Sequence, residues 1–126
     1  MAQTAPNQHL TNQQLGQIGE SLVTYALGER GFTVVARNVR TRYGEIDLIA
    51  QKEGITIFVE VKTRTSRRFG YPEEAVDRKK RLHLSRACLS LAPKYARTND
   101  YAILVVAVEL DLAARAAKLV QIQLDE

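Results

Sequence analysis

Asp47, Glu60 and Lys62 are the residues whose types and spacing could do chemistry. Asp47 closes the stretch Gly44-Glu45-Ile46-Asp47, and thirteen residues later Glu60 and Lys62 stand in Val59-Glu60-Val61-Lys62, both within otherwise apolar surroundings. Strand residues two apart share a face, so Glu60 and Lys62 point one way while Ile57, Val59 and Val61 point the other. Pairing residues 46–50 with 57–61 through a turn at Gln51-Lys52-Glu53-Gly54 brings Asp47 across from Glu60. Two carboxylates and an ammonium then share a patch. Such a patch suits a hard divalent cation beside a lysine able to stabilise an anion or help activate water. The same spacing also allows buried structural pairs of Asp47 and Glu60 with Lys62. Glu45, on the strand face of Asp47, is placed either to oppose Lys62 in a salt bridge or to join the site.

These residues need elements to hold them. Leu15, Ile18, Leu22 and Ala26 form one helical stripe over residues 13–27, and Gly16, Val23 and Leu27 form its neighbour, with Asn12 placed to cap. Glu20 falls in the second stripe, which predicts a carboxylate held against the fold. Gly28 and Gly31 bracket the helix stop, and 32–39 reads as the first strand. The acidic hairpin follows, then a basic loop over 65–71. Pro72 can start a second helix reaching about residue 91, with Glu73 and Glu74 complementing its amino-terminal dipole and Pro93 ending it. Val76, Lys80, Leu84, Ala87 and Leu91 share one side of that helix, which predicts Lys80 lying against the sheet near the acidic patch. Residues 101–110 and 118–124 read as later strands.

The order helix, three strands, helix, strand, strand implies an α/β fold of three layers, a central mixed β-sheet flanked by helices. The hairpin supplies antiparallel pairing, and the second helix is a crossover long enough for a parallel one. Central strands covered on both faces need apolar side chains, as Ile46, Leu48, Ile57, Val59 and Val61 provide. Charges at Asp47 and Glu60 are then costly unless paired or metal-bound.

A chain of 126 residues with 45% hydrophobic content can bury one core, so residues 12–126 are expected to form a single domain after a flexible polar lead over 1–11. No apolar run approaches the roughly 20 residues that span a bilayer, and the polar start lacks the apolar stretch of a signal peptide. The expectation is a cytoplasmic protein with no membrane partner. Cys88 is alone, which excludes an internal disulfide, and it reads as a small buried hydrophobe. His9 and His83 have no partner at metal-ligand spacing.

Net charge is only +4, with a pI near 9.4, but the excess is concentrated. Arg37, Arg40 and Arg42 precede the acidic strands, Lys62, Arg64, Arg67 and Arg68 follow, and Arg78, Lys79, Lys80 and Arg81 form a third cluster. Positive charge around an acidic site is what a polyanionic substrate needs, because its phosphates must be attracted despite the carboxylates. Arg40, Arg42, Arg64, Arg67 and Lys80 are the candidate phosphate contacts, against the plainer reading of a solvated basic face. Tyr43 and Tyr71 are placed to stack on bases or simply to pack.

Glu20, Gly44-Glu45-Ile46-Asp47-Leu48-Ile49-Ala50, Phe58-Val59-Glu60-Val61-Lys62-Thr63-Arg64 and the later Ala75-Val76 with Lys80 resemble the YraN-type family of small bacterial proteins. That resemblance spans about residues 16–91. It implies a restriction-endonuclease-like fold related to archaeal Holliday-junction resolvases. It also implies that Asp47, Glu60 and Lys62 occupy the PD-(D/E)-x-K nuclease positions and Glu20 that of the helix carboxylate, with Ile46 in place of the proline. The chain departs from the family pattern at Ala102-Ile103-Leu104, where relatives commonly have Arg-Phe-Asp, and at a carboxyl end without the usual aromatic finish.

The expected function is hydrolysis of DNA phosphodiesters with Mg²⁺ or Mn²⁺, by a structure-selective enzyme for branched DNA or a general DNA endonuclease, in recombination, repair or DNA uptake. Asp47, Glu60, the Val61 carbonyl and Glu20 are the expected metal ligands, and Lys62 orients the attacking water. A homodimer and recombination proteins are the expected partners. The alternative is a noncatalytic nucleic-acid-binding or recombination-adaptor protein that retains the nuclease fold; a small metabolic metalloenzyme leaves the arginines unexplained.

Overall fold

The computed structural model describes residues 10–65, 77–97 and 100–122. The elements follow in the order α1 (Asn12–Glu29), β1 (Thr33–Thr41), β2 (Gly44–Lys52), β3 (Ile55–Arg64), α2 (Arg78–Tyr95), β4 (Tyr101–Asp111) and β5 (Ala116–Ile122). The expected lead before residue 10, most of the basic loop with Arg67, Arg68 and Tyr71, Pro72 itself, and the end of the last strand lie outside the described residues. The second helix does not run on from Pro72 but starts at Arg78, because Asp77 is extended (φ -82, ψ 179) and caps it by accepting the Lys80 backbone N–H.

The cap of α1 is Thr11, not Asn12. Its hydroxyl accepts from the Gln14 backbone N–H at 3.0 Å while the Gln14 side chain accepts from the Thr11 N–H at 2.8 Å. This reciprocal box satisfies two otherwise orphaned donors, which a lone Asn cannot do. At the other end Gly31 takes φ +90, and the Phe32 N–H reaches back to the Leu27 carbonyl, turning the chain directly into β1.

Five strands form one sheet in the order β1-β2-β3-β4-β5, with β3 and β4 parallel and the other neighbours antiparallel. The β2–β3 hairpin pairs Leu48 with Val59, Ala50 with Ile57 and Lys52 with Ile55. Its two-residue turn, Glu53-Gly54, has both φ values positive, the mirror-image turn whose twist suits a hairpin. Val23 and Leu27 of α1 pack with Leu48, Val59, Val106 and Val108 on one face of the sheet. On the other face, Leu84, Ala87 and Cys88 of α2 pack with Ile49, Phe58, Val105 and Ala107. Both faces of the central strands are thereby covered, giving the three-layer α/β architecture with a mixed sheet that the element order implies.

Helix α2 departs from expectation at its end. Pro93 lies inside the helix, which continues to Tyr95 and closes with the Ala96 N–H on the Ala92 carbonyl. A proline forfeits only its own N–H bond here, and its side chain sits on the exposed face, so the last turn survives it.

Candidate active site

The site is built where β2 and β3 part. Their ladder ends at the Leu48–Val59 pair, and beyond it the Val61 N–H donates to Asp47 Oδ2 at 2.7 Å. A side-chain carboxylate has taken the bond that a strand carbonyl would otherwise receive. The cause is a local rotation shared by two strands. Asn38 adopts φ +49 between the pairs Arg37–Leu48 and Val39–Ile46, directly across from Asp47. Consequently Ala36 and Val39, and likewise Ile46 and Ile49, all pack on the α2 side, although residues three apart in a regular strand face opposite ways. The rotation aims Asp47 at the edge of β3. Asn tolerates the left-handed region better than most residues, so Asn38 was the available sequence signal.

Glu60 follows Phe58 on the α2 side and is only 5% exposed. Its Oε2 lies 3.5 Å from Lys62 Nζ and 3.1 Å from Lys80 Nζ. Lys80 reaches it from the first turn of α2, where the Asp77 side chain caps the helix by accepting the Lys80 backbone N–H at 2.8 Å. Lys80 thus lies against the sheet at the acidic patch, as its place on the helical stripe predicts, with its ammonium on Glu60. The charge and hydrogen bond of Glu60 outweigh burial, the largest single influence on Lys80, and raise its pKa.

Asp47 is pushed up to about 7, first by burial and then by the neighbouring Glu60 charge, against the lowering effect of the Val61 N–H. Glu20, on α1, is also raised, by burial and then Glu45, while Arg37 opposes the shift. Arg37 is itself anchored by its Nη1 donating to Thr24 Oγ1 at 3.0 Å. Sequence reasoning counted Arg37 among the basic residues but did not link it to Glu20. Glu20 is delivered to the sheet by Gly19, whose added Cβ would overlap Thr63 Oγ1 on β3. That hydroxyl is buried and has no hydrogen-bond partner among the described residues.

Glu45 does not oppose Lys62. It faces Arg40 across the β1–β2 ladder, with Arg40 Nη2 3.9 Å from its Oε2, and its charge also acts on Glu20. Arg42 lies over the Tyr43 ring at 5.3 Å in the β1–β2 turn, so Tyr43 is already engaged. Arg64 is half-buried at the end of β3, and His83 is exposed on α2. Cys88 is fully buried, and that burial pushes its thiol up to about 12, consistent with an inert packing role.

Among the described residues, no three His, Cys, Asp or Glu side chains stand together as a ready-made ligand group. The donors that do converge, Asp47 and Glu60, are both carboxylate oxygens. The Val61 carbonyl projects from the same strand edge as its N–H, toward the gap that Asp47 fills. Two carboxylates and a carbonyl are a donor set that fits a hard cation retaining several waters, and the mutual repulsion behind the raised Asp47 is what a cation would relieve.

The fold and site define an α/β protein whose mixed sheet carries a buried carboxylate–lysine cluster at a break between strands. The chain belongs to the family described as Uncharacterised protein family UPF0102, which its residues 19–108 match and which is the YraN-type family. It is 41% identical over 101 residues to a UPF0102 protein of Syntrophomonas wolfei, covering 78% of this chain and 88% of the relative. A UPF0102 protein of Moorella thermoacetica is 39% identical over 109 residues, covering 86% and 91%. Among solved structures, a repair endonuclease from Pyrococcus abyssi superposes with TM-score 0.48 at 16% identity, over 84% of this chain and 41% of that one. An XisH family protein from Nostoc punctiforme gives 0.47 at 14% identity, over 84% and 99%.

Proposed function

We propose that this protein is a metal-dependent endonuclease of restriction-endonuclease-like type that hydrolyses DNA phosphodiesters. One observation carries the reading: two carboxylates, Asp47 and Glu60, are gathered with Lys62 and Lys80 in a sheet that is otherwise apolar. Packing does not require charges there, and their desolvation opposes folding. The PD-(D/E)-x-K resemblance of the same residues supports the reading.

Asp47, Glu60 and the Val61 carbonyl would hold Mg²⁺ or Mn²⁺, with Glu20 reaching the ion through water. The bound cation would polarise the phosphoryl oxygen and acidify a water. Lys62 would orient that water and balance negative charge developing on the phosphorus oxygens. Arg40, Arg42 and Arg64, at the same end of the sheet, would draw the backbone in. A homodimer is expected if four-way junctions are the substrate, because symmetric cutting needs two sites related by a two-fold axis. Branched DNA in recombination, repair or uptake is the substrate class the resolvase resemblance favours.

The test compares linear, flapped and four-way DNA with Mg²⁺, Mn²⁺ or EDTA, using wild type, Asp47→Ala and Lys62→Ala. Strand cleavage that requires metal and falls at least about 100-fold in each variant is expected. DNA binding without metal-dependent cleavage would instead establish the noncatalytic adaptor.

A further inference from the structure

Glu60 holds more positive charge than one carboxylate needs. Lys62 and Lys80 both address the same oxygen, Oε2, and Lys80, the nearer at 3.1 Å, comes from a different layer of the fold. Its backbone is pinned by the Asp77 cap, whereas its side chain is 40% exposed and spans from helix to sheet. A long, half-exposed side chain has rotamers that lead outward to solvent; the 7% exposed Glu60 side chain has nowhere comparable to go.

We infer that Lys80 is a displaceable counter-ion: in the metal-free protein its ammonium occupies Glu60 Oε2 as a stand-in for the divalent cation, and metal binding releases it toward the incoming phosphate. Charge balance supports the exchange. With Asp47 ionised, Asp47, Glu60 and Glu20 beside Lys62 and Lys80 leave one net negative charge, Glu45 and Arg37 around Glu20 cancelling each other, and a dication reverses the sign, so one ammonium loses its reason to stay. Lys62 is the farther of the two at 3.5 Å and stands on the same strand face as Glu60. Lys80 can swing away on α2 while its backbone remains capped. Metal occupancy and Lys80 release are then reciprocally coupled.

This inference rests on the metal-site reading above, and the test separates the two. Mn²⁺ binding to the full chain is measured by titration calorimetry for wild type, Lys80→Met, Lys80→Gln, Lys80→Arg and Asp47→Asn, with folding checked by circular dichroism. Removing the competing ammonium in Lys80→Met, or in Lys80→Gln should the first not fold, is expected to tighten Mn²⁺ binding about fivefold or more. Lys80→Arg, which restores a competing cation, is expected to return toward wild type. A purely structural Lys80 that merely orients Glu60 would give unchanged or weaker Mn²⁺ binding in the neutral variants, and that result overturns this inference alone. Absence of any Mn²⁺ binding that depends on Asp47 overturns both the metal reading and the inference drawn from it.

Discussion

Asp47 shows at the level of one side chain how the site opposes the fold. Its pKa, raised from 3.8 to about 7, means that the folded protein binds a proton more tightly than the unfolded chain over that range. Stability therefore falls as pH rises from about 4 through 7, the reverse of an ordinary salt-bridged aspartate. Asp47→Asn retains an acceptor for the Val61 N–H and removes the charge. In EDTA at pH 8 it is expected to stabilise the protein by about 1–2 kcal/mol, discounted from the full linkage value for partial solvent access, and at pH 4 by little. Urea melts at the two pH values read this directly. A variant no more stable than wild type at pH 8 would mean that neither burial nor Glu60 penalises the Asp47 charge in the free protein.

At the scale of elements, the approach of α1 to β3 decides where Glu20 stands. An added Cβ at Gly19 would meet not only the Thr63 hydroxyl but also its Cβ at 3.1 Å and Cγ2 at 3.3 Å, so no rotation of Thr63 clears the space. At Gly16, one turn earlier, an added methyl would meet no atom of the described residues within 4 Å outside its own helix turn. Helix propensity favours alanine at both sites by about 1 kcal/mol. Gly16→Ala is expected to raise the melting temperature, whereas Gly19→Ala is expected to lower it, the overlap costing about 1–3 kcal/mol and pushing Glu20 away from the sheet. Thermal melts of the two variants check the contrast, and equal shifts would show that α1 is free to ride over β3. The register of β2 against β3 belongs to the same scale, because Asp47 takes the Val61 N–H only where the ladder has ended.

For the whole molecule, charge distribution governs what is attracted. A net charge of only +4 conceals basic residues around the site end of the sheet, where Arg40 and Arg42 extend from the β1–β2 turn. Phosphate contacts release counter-ions, so DNA affinity is expected to fall at least about tenfold between 50 and 200 mM salt. Arg42→Ala is expected to lower the salt slope by about 1 and to weaken linear and branched DNA alike. Fluorescence anisotropy across a salt series measures both, and an unchanged slope would remove Arg42 from the interface. Among the described residues no helix is long and apolar enough to cross a membrane.

Much of this protein was legible from local pattern. The period of two in Ile57-Phe58-Val59-Glu60-Val61-Lys62, the Glu53-Gly54 turn and the stripe of Leu84 and Ala87 each depend on near neighbours in the chain, so the seven elements, their order and the pairing of the acidic hairpin could be read directly. The Thr11–Gln14 box was readable by the same kind of rule, although Asn12 stands nearer the helical stripe. What only tertiary structure decided was where these elements meet. Strict alternation put Glu45 beside Asp47 and opposite Lys62, but the register of β1 against β2 sets it across from Arg40. The link from Arg37 through Thr24 to the Glu20 helix, the clash that makes a side chain at Gly19 costly, and the choice of Glu60 Oε2 as the atom that Lys80, expected near the acidic patch, engages all join residues far apart in sequence. Periodicity assigns a side chain to a face of its own element; which groups from other elements share that space, and at what distance, is settled only when the layers pack.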